Sequence, residues 1–170
     1  MALGGPARAS ELANGIPIQV VFAASNTETA KFCRKVFRCS ALKVDLSPDI
    51  VRVEFCVAMK NSYAIAIGIC ERLQSNVDSP KAVLISQAIL ETSKIVVAKG
   101  GNLETVTGPA GIGDLYVTAQ GGCNRTFGKL LGQGMSAKKA LEKMGSQTIE
   151  GYPTLKKYTS WHKSYRIKED

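Results

Sequence analysis

The stretch Phe55–Cys70, FCVAMKNSYAIAIGIC, carries one charge in sixteen residues, and that charge, Lys60, lies near its middle. A surface helix of a small domain needs a polar face, and this segment has none. It has to be surrounded by other parts of the chain, so the fold is organised around it. Crossing a bilayer takes about 20 consecutive apolar residues; this run is shorter, and Lys60 and Asn61 interrupt it. The expectation is one long buried helix over 49–73 and no membrane span.

The flanking segments supply what would enclose it. GGPARASELANG (4–15) reads as a short helix, started by Gly5-Pro6 and stopped by Gly15. IQVVFAA (18–24) is compact and β-branched, as a strand requires. TETAKFCRKVFR (27–38) places Ala30, Cys33 and Phe37 on one helical face, and LKVDL (42–46) alternates as a second strand. Beyond the long helix, Val83, Ile85, Ala88, Ile89, Thr92, Ile95 and Val96 recur at helical spacing over 80–99, and Gly100-Gly101 stop the run. Residues 100–135 hold ten of the sixteen glycines, with short helices expected at 112–119 and 124–132. A further helix is expected at 136–144 behind Ser136 as N-cap, and another in the tail 151–165. The predicted fold is mostly α: a small α/β piece over 1–47, then an all-helical domain over 48–170.

Composition narrows the function. The chain is 45% hydrophobic and 21% charged, ordinary for a globular domain of 170 residues. The first fifteen residues lack the apolar core of a signal peptide. The five cysteines (33, 39, 56, 70, 123) are odd in number and form no CxxC pair, which argues against a disulfide framework or a zinc site and for a reducing compartment. The net charge of +8 favours anionic partners, but the basic residues are spread and no nucleic-acid-binding signature is present. Nucleic acid, phosphorylated metabolites and acidic lipid would all suit that charge, and the absent signature argues against the first.

Lys60 has two readings. Its stem can pack while its ammonium reaches water. Alternatively, desolvation brings a lysine towards the range in which it exchanges protons near neutral pH, as a general acid or base must. The glycine-rich GPAGIGDLYVTAQGGCNRTFG (108–128) fails as a dinucleotide fingerprint, because Tyr116 stands where the third glycine belongs, and it fails the P-loop spacing too. Its GGCNR segment leads two glycines into a helix start, where unpaired N–H groups favour an anion. The plainer alternative is a glycine turn with Asn124 as N-cap. Asp114 is by default an acid at a helix N-terminus, stabilised by the dipole. His162, the only histidine, sits in a polar tail and reads as exposed and without a role.

AMKNSYAIAIGI, GPAGIGDLYVT, NRTFGKLLGQG and IEGYPT, in this order and spacing, resemble the C-terminal domain of NAD-dependent glycerol-3-phosphate dehydrogenase. GGPARASELANGIPIQVVFAAS resembles the last part of that family's nucleotide-binding Rossmann domain. The resemblance covers roughly residues 4–155. It implies interconversion of dihydroxyacetone phosphate and sn-glycerol 3-phosphate with NAD(H) or NADP(H), by a cytoplasmic enzyme of glycerophospholipid and carbohydrate metabolism that is a homodimer when intact. Lys60 matches the catalytic lysine, which exchanges a proton with the C2 oxygen of the substrate. Asp114, Thr118, Gly122 and Cys123 match substrate positions, and Asn124 one that binds the phosphate. Gly5 and Ala7 fall where the nucleotide domain meets substrate. Ala9, Cys123, Thr148 and Glu150 fall on cofactor positions. No metal is implied.

Two departures shape the expectation. The family commonly has serine at the position of Ala7, and Arg-Asn-Arg where this chain has Cys123-Asn124-Arg125. The absent arginine is a phosphate and cofactor ligand, and Arg125 is expected to point elsewhere. The glycine fingerprint and the first βαβ units of the family are not found here, so the chain reads as a fragment expected to lack dehydrogenase activity by itself. The rival expectation is a non-catalytic remnant used as a binding or oligomerisation module.

Overall fold

The computed structural model describes residues 1–39, 41–74 and 78–164, with side chains described as far as residue 157. The expectation for the His162 side chain lies outside the described residues. In chain order the elements are β1 (Ala2–Gly4), α1 (Ala9–Ala13), β2 (Ile18–Ala23), α2 (Thr27–Val36), β3 (Leu42–Ser47), α3 (Ile50–Leu73), α4 (Ser79–Ala98) and α5 (Leu103–Thr107). A single π-helical turn, Pro109–Gly113, then runs into α6 (Asp114–Ala119), followed by α7 (Cys123–Gly132), α8 (Ala137–Met144) and α9 (Gly151–Ser164).

The chain is mostly helical with a small N-terminal sheet, as expected, but its first segment differs. Instead of one helix over 4–15, residues 2–4 form a strand and only Ala9–Ala13 is helical. Gly5, at φ +143°, turns the chain between them in a conformation favoured by glycine. Pairing decides this. Ala2 and Gly4 sit opposite Ala23 and Val21, and β1 covers an edge of β2 that would otherwise expose unpaired backbone. The strand order is β1-β2-β3; β2 and β3 run parallel from Ile18↔Leu42 to Ala23↔Ser47, joined by α2 as crossover. The helix α5 was also not expected; Asn102 caps it by accepting a hydrogen bond from the Glu104 N–H. Ser136 caps α8 as the sequence implied, accepting from the Lys139 N–H.

Three core clusters are strung along α3. Near its start, Val53 packs with Ala2, Val21, Ala23 and Ala110, joining the sheet to the helices. Further on, Cys56 meets Val96 and Val106 from α4 and α5. Towards its end, Ile65 packs on Phe127 and Leu130 of α7 and on Ala140, Met144 and Ile149. A helix contacted on all these faces has no need of a polar one. By length and hydropathy α3 would pass as a membrane span, but half of its apolar window is buried inside the fold, as in a core helix.

The crossing of α3 and α7 is close. A Cβ added to Gly68 would lie 2.1 Å from the Arg125 carbonyl oxygen, and one on Gly128 would lie 2.1 Å from that of Ile65. Each glycine thus accepts the backbone of the opposite helix. Beside this crossing Glu71 of α3 takes a bidentate hydrogen bond from Arg125, and Lys129 lies 3.2 Å away. The Arg125 hydrogen bonds, first, and then Lys129 hold the Glu71 carboxyl below the usual carboxylate range despite its partial burial.

Candidate functional site

Lys60 lies midway along α3, and its Nζ stands 2.6 Å from Oδ1 of Asp114, the first residue of α6. The other oxygen, Oδ2, accepts the Gly5 N–H at 3.0 Å. The two side chains are 18% and 6% exposed. The lysine is therefore neither a snorkelling surface residue nor a lone buried cation. Its desolvation is offset by a carboxylate that is itself hydrogen-bonded through both oxygens, the condition under which a buried ion pair is tolerated. The turn at Gly5, the π-turn before α6 and the middle of α3 all have to converge to make this pair.

The pair opens onto a cleft of about 670 Å³. Thr118, Gly122, Cys123 and Asn124 line it from α6, α7 and the turn between them. Ala7 and Ala9 line it from the loop after β1 and the start of α1, and Thr148 and Glu150 from the approach to α9. All the site positions singled out in the sequence converge here, Gly5 through its N–H on Asp114. Four polar neighbours were not singled out: Arg8, Ser10, Asn61 and Gln120 also line the cleft. Asn61 was visible as the second polar residue interrupting an apolar run. Arg8 carried no local signal; its guanidinium reaches the Val117 carbonyl 109 positions away. Among the described residues no grouping of His, Cys, Asp and Glu could hold a metal ion.

The helix start at α7 differs from its plain reading. Its N-cap is Gly122, at φ +93°, and no side chain caps it. Asn124 is turned inwards, where its Oδ1 accepts the N–H of Gly151, the first residue of α9, at 2.9 Å. Asn124 thus caps a different helix and leaves the amides at the start of α7 without a side-chain acceptor. Arg125 points away to Glu71 and to the Gln120 carbonyl, as expected.

Cys56 sits behind the ion pair. Burial, first, and then the Asp49 and Asp114 carboxylates push its thiol from 9.0 up to about 12. A thiol raised in the folded state stabilises the fold fully below pH 9.0, and that contribution is lost as pH rises towards about 12. Cys56→Ala is therefore expected to flatten the alkaline limb of stability, read from urea midpoints across that window. Cys56 should also be the slowest of the cysteines to react with iodoacetamide, well behind the half-buried Cys123. Cys70, expected inside, is only half-buried, because it lies where α3 leaves the core.

Residues 49–169 match the family described as the NAD-dependent glycerol-3-phosphate dehydrogenase C-terminus. Curated relatives include the NADP(+)-dependent glycerol-3-phosphate dehydrogenase of Archaeoglobus fulgidus, 35% identical over 164 residues, covering 92% of this chain and 49% of the relative. The glycerol-3-phosphate dehydrogenase [NAD(P)+] of Moorella thermoacetica is 39% identical over 154 residues, covering 89% and 45%. The crystal structure of glycerol-3-phosphate dehydrogenase (gpsA) from Coxiella burnetii superposes with a TM-score of 0.87 at 32% identity, covering 98% of this chain and 51% of that one. The chain spans about half the length of the relatives it matches.

Proposed function

The chain belongs to the NAD-dependent glycerol-3-phosphate dehydrogenase family, and from that premise we propose that its cleft is the substrate side of a site interconverting dihydroxyacetone phosphate and sn-glycerol 3-phosphate. The observation that carries this reading is the Lys60–Asp114 pair, 2.6 Å long, on the wall of a cleft that also holds an uncapped helix start.

Reduction of a ketone leaves negative charge on its oxygen. Lys60 is the proton donor to that oxygen, and in the reverse direction it takes the proton back. Asp114 holds the ammonium in place and balances its charge, while the Gly5 N–H keeps the carboxylate turned towards Lys60. The substrate phosphate is assigned to the start of α7, where the amides after Gly122 meet an anion favourably. Cys123 and Asn124 stand at that start, Arg8 adds a cation to the cleft, and Thr118 offers a hydroxyl. Gly5 and Ala7 belong to the substrate wall.

Ala9, Cys123, Thr148 and Glu150 are assigned to the cofactor side. The exposed Glu150 carboxylate is unsuited to a pyrophosphate, and the described residues contain no glycine-rich dinucleotide turn. These groups fit the nicotinamide end of NAD(H) or NADP(H), which supplies or accepts hydride. Residues 1–47 are assigned to the end of the nucleotide-binding domain and 48–170 to the substrate domain. A cytoplasmic homodimeric enzyme of glycerophospholipid and carbohydrate metabolism is the matching whole-protein reading. The second reading, a module that binds without catalysis, is favoured by one feature, Cys123 at a cleft position where the family commonly has arginine.

Isothermal titration of the full chain with sn-glycerol 3-phosphate tests the site. Saturable binding, competed by inorganic phosphate and weakened by Asp114→Asn, is expected. A flat titration at millimolar ligand would refute the reading.

A further inference from the structure

We infer that Asn61 is a positioning residue whose amide holds Asn124 with an N–H towards the cleft and couples phosphate binding to Glu150. The inference rests on the phosphate assignment above. Asn61 and Asn124 are 6% and 9% exposed, so their amides have little water to turn to. Four groups form one chain of hydrogen bonds. The Gly151 N–H donates to Asn124 Oδ1 at 2.9 Å. Asn124 Nδ2 donates to Asn61 Oδ1 at 3.1 Å, and Asn61 Nδ2 donates to Glu150 Oε2 at 2.9 Å.

The ends of this chain dictate its direction. A backbone N–H can only donate, and an ionised carboxylate can only accept. Between a fixed donor at Gly151 and a fixed acceptor at Glu150, two side-chain amides have one orientation in which every link is satisfied. Reversing either amide sets oxygen against oxygen at one link and N–H against N–H at another. Because Asn124 spends its oxygen on Gly151, what it retains for a ligand is its second N–H. That is the group a phosphate oxygen needs. Reversed, Asn124 would present its carbonyl to an anion.

The backbone supports the arrangement. A Cβ on Gly151 would lie 2.4 Å from the Asn61 carbonyl oxygen and 3.0 Å from Asn124 Oδ1. Glycine there lets the start of α9 approach α3 closely enough for the link to Asn124. Glu150, exposed on the wall of the same cleft, thereby acts on Asn124 through Asn61.

The test is a polarity reversal in the full chain, titrated with sn-glycerol 3-phosphate and inorganic phosphate without cofactor, with melting temperatures recorded in parallel. In Asn61→Asp two carboxylates face each other, and binding is expected to weaken about 10- to 100-fold. In the double variant N61D/E150Q, the amide introduced at position 150 donates to the carboxylate introduced at position 61. That carboxylate still accepts from Asn124, so most of the binding is expected to return. Glu150→Ala, at an exposed position that leaves the core intact, is expected to weaken binding about 3- to 10-fold through loss of the terminal acceptor. If N61D does not fold, Glu150→Ala decides, and unchanged binding overturns the inference. Wild-type binding that N61D leaves intact, or that N61D/E150Q does not recover in a folded protein, overturns the inference alone. A wild-type chain that binds neither probe overturns the phosphate assignment and the inference with it.

Discussion

Replacing Lys60 with methionine is expected to lower reduction of dihydroxyacetone phosphate by about 100- to 10,000-fold, the range for loss of a positioned general acid. Methionine preserves the apolar stem that packs within α3 and removes only the ammonium. The assay calls for a chimera in which this chain replaces the matched half of the Coxiella burnetii enzyme, so that a complete nucleotide-binding domain is supplied. Because the proton is needed as charge develops on the ketone oxygen, the loss should fall mainly on kcat, with KM changed less. A Lys60→Met chimera that turns over at the parent rate would remove Lys60 from the chemistry. Asp114→Asn should also slow the reaction. It keeps the shape of the partner but leaves the ammonium in a mostly buried place without a counter-charge.

Gly128→Ala is expected to be strongly destabilising for a single added methyl group. The added carbon would stand 2.1 Å from the Ile65 carbonyl oxygen, a backbone atom that cannot swing aside. The helices would have to separate, disturbing Phe127 and Leu130 where they pack on Ile65. Alanine favours a helix over glycine by about 1 kcal/mol, whereas forced overpacking costs about 1–3 kcal/mol and occasionally more. With backbone on one side of the clash, the upper end applies, and a net loss of about 2 kcal/mol or more should appear in urea unfolding. At roughly 2–4 °C per kcal/mol for this size, the melting temperature falls by about 4–8 °C. Gly145→Ala is a useful contrast, because nothing lies within 4 Å of an added Cβ there. Its penalty comes from the backbone angle alone. Equal unfolding midpoints for Gly128→Ala and the parent would show that the crossing is looser than described.

What could be read from the sequence was whatever is settled locally. The long apolar run required a core helix, and α3 is one. The caps at Ser136 and the stop at Gly100-Gly101 follow from side-chain chemistry within a few residues. Even Lys60 announced itself, because its neighbours left it no polar face. The misreadings share a different cause. Residues 2–4 hold no strand signal of their own and become a strand because β2 offers an edge. Asn124 has every local qualification for capping α7, yet Gly151, 27 positions on, takes its oxygen. Arg8 and Asn61 were missed as cleft residues for the same reason, since their partners lie 109 and 89 positions away. Local composition reports what a segment prefers, not which distant group will claim it.

The hydrogen bond from Gly5 to Asp114 has a consequence for how the protein is made. Its ends are 109 positions apart, Lys60 and Asp114 are separated by 54, and Asn61 and Glu150 by 89. On a ribosome, Lys60 emerges long before its carboxylate and Asn61 longer still before its own. A nascent chain that has released only α3 and α4 holds an ammonium in an apolar helix with no counter-ion, and that helix is then better left partly open to water. Contacts of such separation form late, after the loops between them have closed. The cleft is thus the last part of the molecule to be locked, and synthesis stalled between residues 114 and 150 would leave the chain without the amide links from Asn61 to Glu150.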